Sequence, residues 1–65
     1  MQYENLIYEI ENRINIISIN RPENLNALNI QTFTEIDNAI KSSVANSEIR
    51  LIILTGIGKS FIAGA

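Results

Sequence analysis

Cysteine and histidine are both absent from the 65 residues. Without cysteine there is neither a disulfide framework nor a thiolate metal site, and without histidine the commonest metal ligand and general base is missing. Proline occurs once, at Pro22, and the basic residues are few: Arg13, Arg21, Lys41, Arg50 and Lys59 stand against seven acids for a net charge of −2. They are scattered, so there is no electrostatic footprint for nucleic acid. The longest uninterrupted apolar run is Leu51 to Leu54, far short of the roughly 20 residues that a membrane-spanning helix needs. The opening MQYENLIYEIE has early acids and no basic flank, which is unlike a secretory or organelle-targeting segment. These absences predict a soluble, cytoplasmic protein with no resident metal and no nucleic-acid or membrane partner.

What is present is apolar: 46% of the residues are hydrophobic and 18% charged, which is the composition of a chain that packs rather than one that stays disordered. The length allows one domain at most, and a domain of this size buries only roughly 60% of the surface of its unfolded chain. Small domains with such thin cores usually add a disulfide or a metal, and this sequence can supply neither.

Two strand patterns come first. Leu6 to Glu11 alternates apolar and polar residues, Ile14 to Ile19 is rich in β-branched isoleucine, and Asn12-Arg13 between them suits a tight turn, which predicts a β-hairpin. Asn20-Arg21-Pro22 ends the second strand, because proline donates no backbone hydrogen bond and restricts the residue before it. NRPENLNAL is then a loop through Leu28.

From Asn29 the period changes. Ile30, Phe33, Ile36, Ile40 and Val44 fall three or four apart, as one stripe of a helix does, with Gln31, Glu35, Asp37, Asn38 and Lys41 elsewhere on its surface. Asn29 is the expected N-cap, and the helix is expected to fade in Asn46-Ser47-Glu48. Arg50 to Thr55, RLIILT, has apolar residues on both faces and reads as an interior strand. The order is therefore ββαβ, an α/β unit in which a parallel pairing of the last two strands would call for a right-handed crossover.

The glycine turn that follows, Gly56-Ile57-Gly58-Lys59-Ser60, contains the last residues of a phosphate-binding loop. The full motif would need a glycine five positions before Gly58, where Ile53 stands inside the strand. The dinucleotide fingerprint fails as well, since its third glycine position holds Phe61. Read without a ligand, the two glycines end a strand and supply positive-φ conformations that side chains resist.

Two segments taken together, ISINRPENLNALN before the helix and LIILTGIGKSFIAGA after it, resemble the N-terminal part of the crotonase (enoyl-CoA hydratase/isomerase) family. The resemblance covers essentially the whole chain. It implies that residues 1–65 are an incomplete, N-terminal piece of a single crotonase-like domain, a spiral of ββα units. The implied substrate is an acyl-CoA thioester, with coenzyme A entering as part of the substrate and no covalently bound cofactor. It also implies fatty acid metabolism and a parent that assembles as a homo-oligomer, a trimer or a hexamer.

The family's chemistry needs backbone amides placed where a thioester oxygen gains negative charge, worth roughly 3–4 kcal/mol per donor in analogous cases. Resemblance gives the N–H of Ala65 as one of two such donors, with Ala63 and Gly64 leaving its approach unobstructed. The alternative is that Ala63-Gly64-Ala65 is a small-residue bend under a neighbouring helix. Resemblance also places Ala27 and its neighbours Leu25 and Leu28 beside coenzyme A; the alternative, which can hold together with it, is a helix entry with Leu25 and Leu28 buried and Asn29 capping. Leu25 departs from the family, whose members often carry a lysine or arginine there to meet a phosphate. Lys59 is a nearby source of positive charge, or simply a solvated side chain.

The family's second oxyanion amide and the paired glutamates of its hydratases have no counterpart among these residues. Glu4, Glu9 and Glu11 belong to the hairpin, and Glu35, Asp37 and Glu48 to the helix or its end. Glu23, beside Arg21 and Pro22 in a polar loop, fits a solvated carboxylate better than a general base. The segment alone is expected to be inactive, and its parent to be an enoyl-CoA hydratase, with isomerase or another family reaction as the alternative. A reading of a different class is a non-catalytic module that docks through a strand edge or its helix stripe.

Overall fold

A computed structural model describes residues 3–24 and 26–58. Strands β1 (Leu6–Glu11) and β2 (Ile14–Ile19) form the hairpin, with Leu6 opposite Ile19 and Glu11 opposite Ile14. The Asn12-Arg13 turn has both residues at positive φ, 51° and 66°, the backbone of a two-residue type I′ turn whose twist matches the flanking strands. A single 3-10 turn over Pro22–Asn24 follows, then helix α1 (Ile30–Ala45) and strand β3 (Leu51–Gly56). Strand β3 pairs in parallel with β2, Ile14 with Leu51 through Ile19 with Gly56, so the sheet order is β1-β2-β3. Backbone bonds from Arg50 N to Arg13 O and from Ile57 N to Ile19 O, each 2.8 Å, extend that ladder at both ends.

The helix caps are built from asparagine at each end. Asn29 has extended backbone angles, and its Oδ1 accepts from Thr32 N at 2.8 Å and from Thr32 Oγ1 at 2.7 Å, which satisfies one of the amides that the first turn leaves free. At the far end Asn46 donates its backbone N–H to Ser43 O and accepts from Glu48 N through Oδ1. The helix is tied to the start of β1 by Glu35, a buried carboxylate that accepts from Asn5 N at 2.9 Å and from Gln31 Nε2 at 3.0 Å. Tyr3 adds a second tie, donating its hydroxyl to Asn38 Oδ1.

The core is small: Leu6, Ile17, Ile19 and Ala39 are buried, with Tyr3, Tyr8, Leu28, Ile36 and Ile52 packed around them. The helix does not face the sheet with its aliphatic stripe. Its buried residues are Thr32, Glu35, Ala39 and Ser43, while Ile30, Phe33 and Val44 are 87%, 61% and 73% exposed. The two faces lie about one residue step, ~100°, apart around the helix, with Ile36 at their junction. Short side chains on the packed face let the helix lie close to the sheet, and the larger aliphatic residues then have no room there. The expectation of an interior strand needs correction, since RLIILT is not one among the described residues. Strand β3 sits at the sheet edge, and of its aliphatic residues only Ile52 packs on the core, leaving Leu51, Ile53 and Leu54 exposed.

Candidate functional site

The loop after β2 and the turn after β3 meet at one end of the sheet, because parallel pairing brings the C-terminal ends of both strands to the same place. Parallel sheets commonly place ligands beyond these ends. Asn26 joins the two segments. Its backbone has φ 58°, a left-handed conformation that asparagine tolerates better than most residues, and it is completely buried. Asn26 N donates to Arg21 O at 2.8 Å, Asn26 Oδ1 accepts from Arg21 N at 2.8 Å, and Asn26 Nδ2 donates to Ile57 O at 2.9 Å. One side chain therefore closes the loop on itself and fastens it to the glycine turn.

Two further contacts hold this arrangement. The Arg21 guanidinium donates through one terminal nitrogen to Ala27 O, so this cation is committed to the loop's own backbone. Gly58 has φ 93°, and a Cβ placed on it would come within 3.1 Å of Pro22 Cβ. The turn thus needs glycine here for both its torsion and its close approach to proline. Gly56, expected to share the positive-φ role, instead ends β3 in register with Ile19, and Gly58 alone takes it among the described glycines.

Beside the loop lies an open depression of about 340 Å³ lined by Asn5, Asn20, Arg21, Pro22 and Glu23. Neither Ala27 nor Leu28 lines it. Ala27 is half-buried, and Leu28 is half-buried against the core cluster, so the packing role expected of Leu28 is observed. The other expected site residues, Leu25, Lys59, Ala63, Gly64 and Ala65, lie outside the described residues. Glu23 is exposed, as a solvated carboxylate would be. Among the described residues there is no cluster of acids that could hold a metal ion, and no helix is long and apolar enough to cross a membrane.

Asn26 was not singled out by motif reasoning, which settled on its neighbours Leu25, Ala27 and Leu28. The available signal was an asparagine between two apolar residues in a loop that had to turn sharply, a position suited to positive φ.

A ββαβ unit with a parallel last strand, closed at its C-terminal end by an asparagine-clamped NRP loop and a glycine turn, is one segment of a crotonase-like fold. The family model for enoyl-CoA hydratase/isomerase matches residues 9–65, and the chain belongs to that family. It is similar to the short-chain-enoyl-CoA hydratase of Clostridium acetobutylicum, with 47% identity over 66 residues that cover 100% of this chain and 25% of the relative. It is also 46% identical to the crotonyl-CoA hydratase of Syntrophomonas wolfei, again over 100% of this chain and 25% of the relative. Among solved structures, an enoyl-CoA hydratase subunit from Geobacillus kaustophilus superposes with a TM-score of 0.95 at 37% identity, covering 100% of this chain and 25% of that one. An enoyl-CoA hydratase/isomerase from Mycobacterium paratuberculosis gives a TM-score of 0.93 at 31% identity, covering 98% and 25%. The chain thus spans about a quarter of the length of these relatives.

Proposed function

We propose that the 65 residues are the N-terminal part of a single crotonase-like domain in a longer acyl-CoA enzyme that hydrates 2-enoyl-CoA. The observation that carries this reading is the junction of the NRPENLNALN loop with the glycine turn through Asn26 and Pro22. It puts the backbone near Ala27 next to the turn that leads to Ala63, Gly64 and Ala65. The identities of 46–47% to relatives named as hydratases support the same conclusion.

In the proposed reaction the oxygen of water bonds to C3 of the enoyl thioester. The C2–C3 π electrons move toward the carbonyl, giving an enolate with negative charge on the thioester oxygen. Collapse of the enolate takes a proton at C2. The Ala65 N–H is proposed as one donor to that oxygen, with Ala63 and Gly64 keeping its approach clear. A preorganised donor stabilises the developing charge at no cost in solvent reorganisation, typically by roughly 3–4 kcal/mol. Ala27 is proposed to lie along coenzyme A, with Leu25 and Leu28 as apolar neighbours and Lys59 offering charge to a phosphate. A second amide and the carboxylates that move water and proton would come from other parts of the enzyme, so the segment alone would be inactive. The parent would be a trimer or a hexamer. Isomerisation of an enoyl-CoA, in which loss of a proton gives a dienolate with negative charge on the same thioester oxygen before reprotonation, is the alternative reaction.

The test is the full-length enzyme with crotonyl-CoA. Loss of the conjugated thioester's absorbance, with 3-hydroxybutyryl-CoA as product, is the expected outcome. Migration of a double bond in 3-enoyl-CoA without hydration of the 2-enoyl thioester would select the isomerase alternative, and inertness toward both would refute the reading.

A further inference from the structure

We propose that Asn26 is a positioning residue, which sets the distance between the coenzyme A-facing loop and the backbone that carries the oxyanion donor. The inference rests on the reading of the preceding subsection. Its basis is the direction of the hydrogen bonds that Asn26 makes with Arg21 and Ile57. Those to Arg21 stay within the loop, but the one from Nδ2 to Ile57 O crosses 31 positions of sequence to the glycine turn. Ile57 is fixed on its other side, because its N–H donates to Ile19 O as the last rung beyond β2 and β3. The asparagine therefore references the loop to the sheet itself. Pro22 also approaches Gly58 closely between these two segments, but a van der Waals contact limits approach without holding it.

Replacement chemistry separates the bonds. Asn26→Asp keeps an oxygen for Arg21 N and tolerates positive φ, but sets a carboxylate oxygen against Ile57 O in place of a donor. Asn26→Gly keeps the backbone conformation and removes the side-chain bonds to Arg21 N and Ile57 O. If the segments shift relative to each other, the ends of an acyl-CoA still find their contacts separately, while the carbonyl oxygen loses its alignment with the donor. Misplacement by about 1 Å can reduce turnover on the order of 100-fold. An interaction required only in the transition state lowers kcat without raising KM.

The experiment uses the full-length enzyme and measures crotonyl-CoA hydration together with amide hydrogen exchange. Both variants are expected to lower kcat by at least about tenfold with KM within about threefold. Exchange should quicken together in residues 21–28 and at 56–58. An unchanged kcat, a loss carried by KM, or quickened exchange in the loop alone would overturn the inference. If the wild type hydrates no enoyl-CoA, the functional reading fails separately. The exchange measurement then still decides on Asn26: joint loosening of the two segments supports the clamp, and loosening of the loop alone overturns it.

Discussion

Arg13 occupies the second position of the hairpin turn at φ 66° with no glycine to relieve it. A side chain in the left-handed region costs roughly 1–2 kcal/mol, and Asn-Gly is the favoured pair for this turn type. The turn's geometry is fixed by pairing on both sides, Glu11 with Ile14 in the hairpin and Arg50 N with Arg13 O at the head of the parallel ladder. Arg13→Gly keeps that carbonyl and removes the strain. It is expected to stabilise the hairpin by about 1 kcal/mol, seen as slower amide exchange in β1 and β2 of the full-length protein. Faster exchange would mean that the arginine side chain contributes more than its torsion costs.

At the scale of elements, helix α1 shows what the residue pattern could and could not reveal. Its start was legible because Asn29 precedes the first periodic residue, and the structure has Asn29 accepting from both Thr32 N and Thr32 Oγ1. Removing that oxygen by Asn29→Ala also strands the hydroxyl of the completely buried Thr32. A cost of about 1–2 kcal/mol is expected, localised by amide exchange to the first turn of α1, whereas Asn29→Asp keeps the acceptor and should leave exchange near the wild-type rate. The hairpin, the loop and β3 were legible for similar reasons, since each boundary carries a residue with a local conformational preference. The buried face of α1 was not. An aliphatic stripe of Ile30, Phe33, Ile40 and Val44 reports that one face is apolar, but it does not say which surface meets it. The face that packs on the hairpin was selected by small size at Ala39 and Ser43 and by the bond from Asn5 N to Glu35. The candidate site was legible only in part for a related reason. Its motif pointed to residues that would face a ligand, whereas Asn26 is completely buried and its role becomes visible only when Ile57 is seen next to it.

The whole molecule has two apolar surfaces without cover among the described residues. One is the helix stripe. The other is the sheet face opposite the helix, where register sets Ile7, Ile14, Ile16, Leu51 and Ile53 on the same side, with Leu51 at 52% exposure. Strand β3 adds an edge with no described strand on the side away from β2, and exposed apolar edges of this kind invite pairing with another chain. Among the described residues four aliphatic or alanine side chains are buried as a core, so the hydrophobic gain they supply against chain ordering is small. The 65-residue segment expressed by itself is therefore expected to self-associate, with a sedimentation-average mass that rises with concentration. Ile53→Lys places a charge on both the bare sheet face and the edge strand, and should shift that association to at least about tenfold higher concentration, the equivalent of roughly 1.4 kcal/mol. A segment that stays monomeric and melts cooperatively would show that its small core suffices, and would favour the independent docking module over a part of a larger domain.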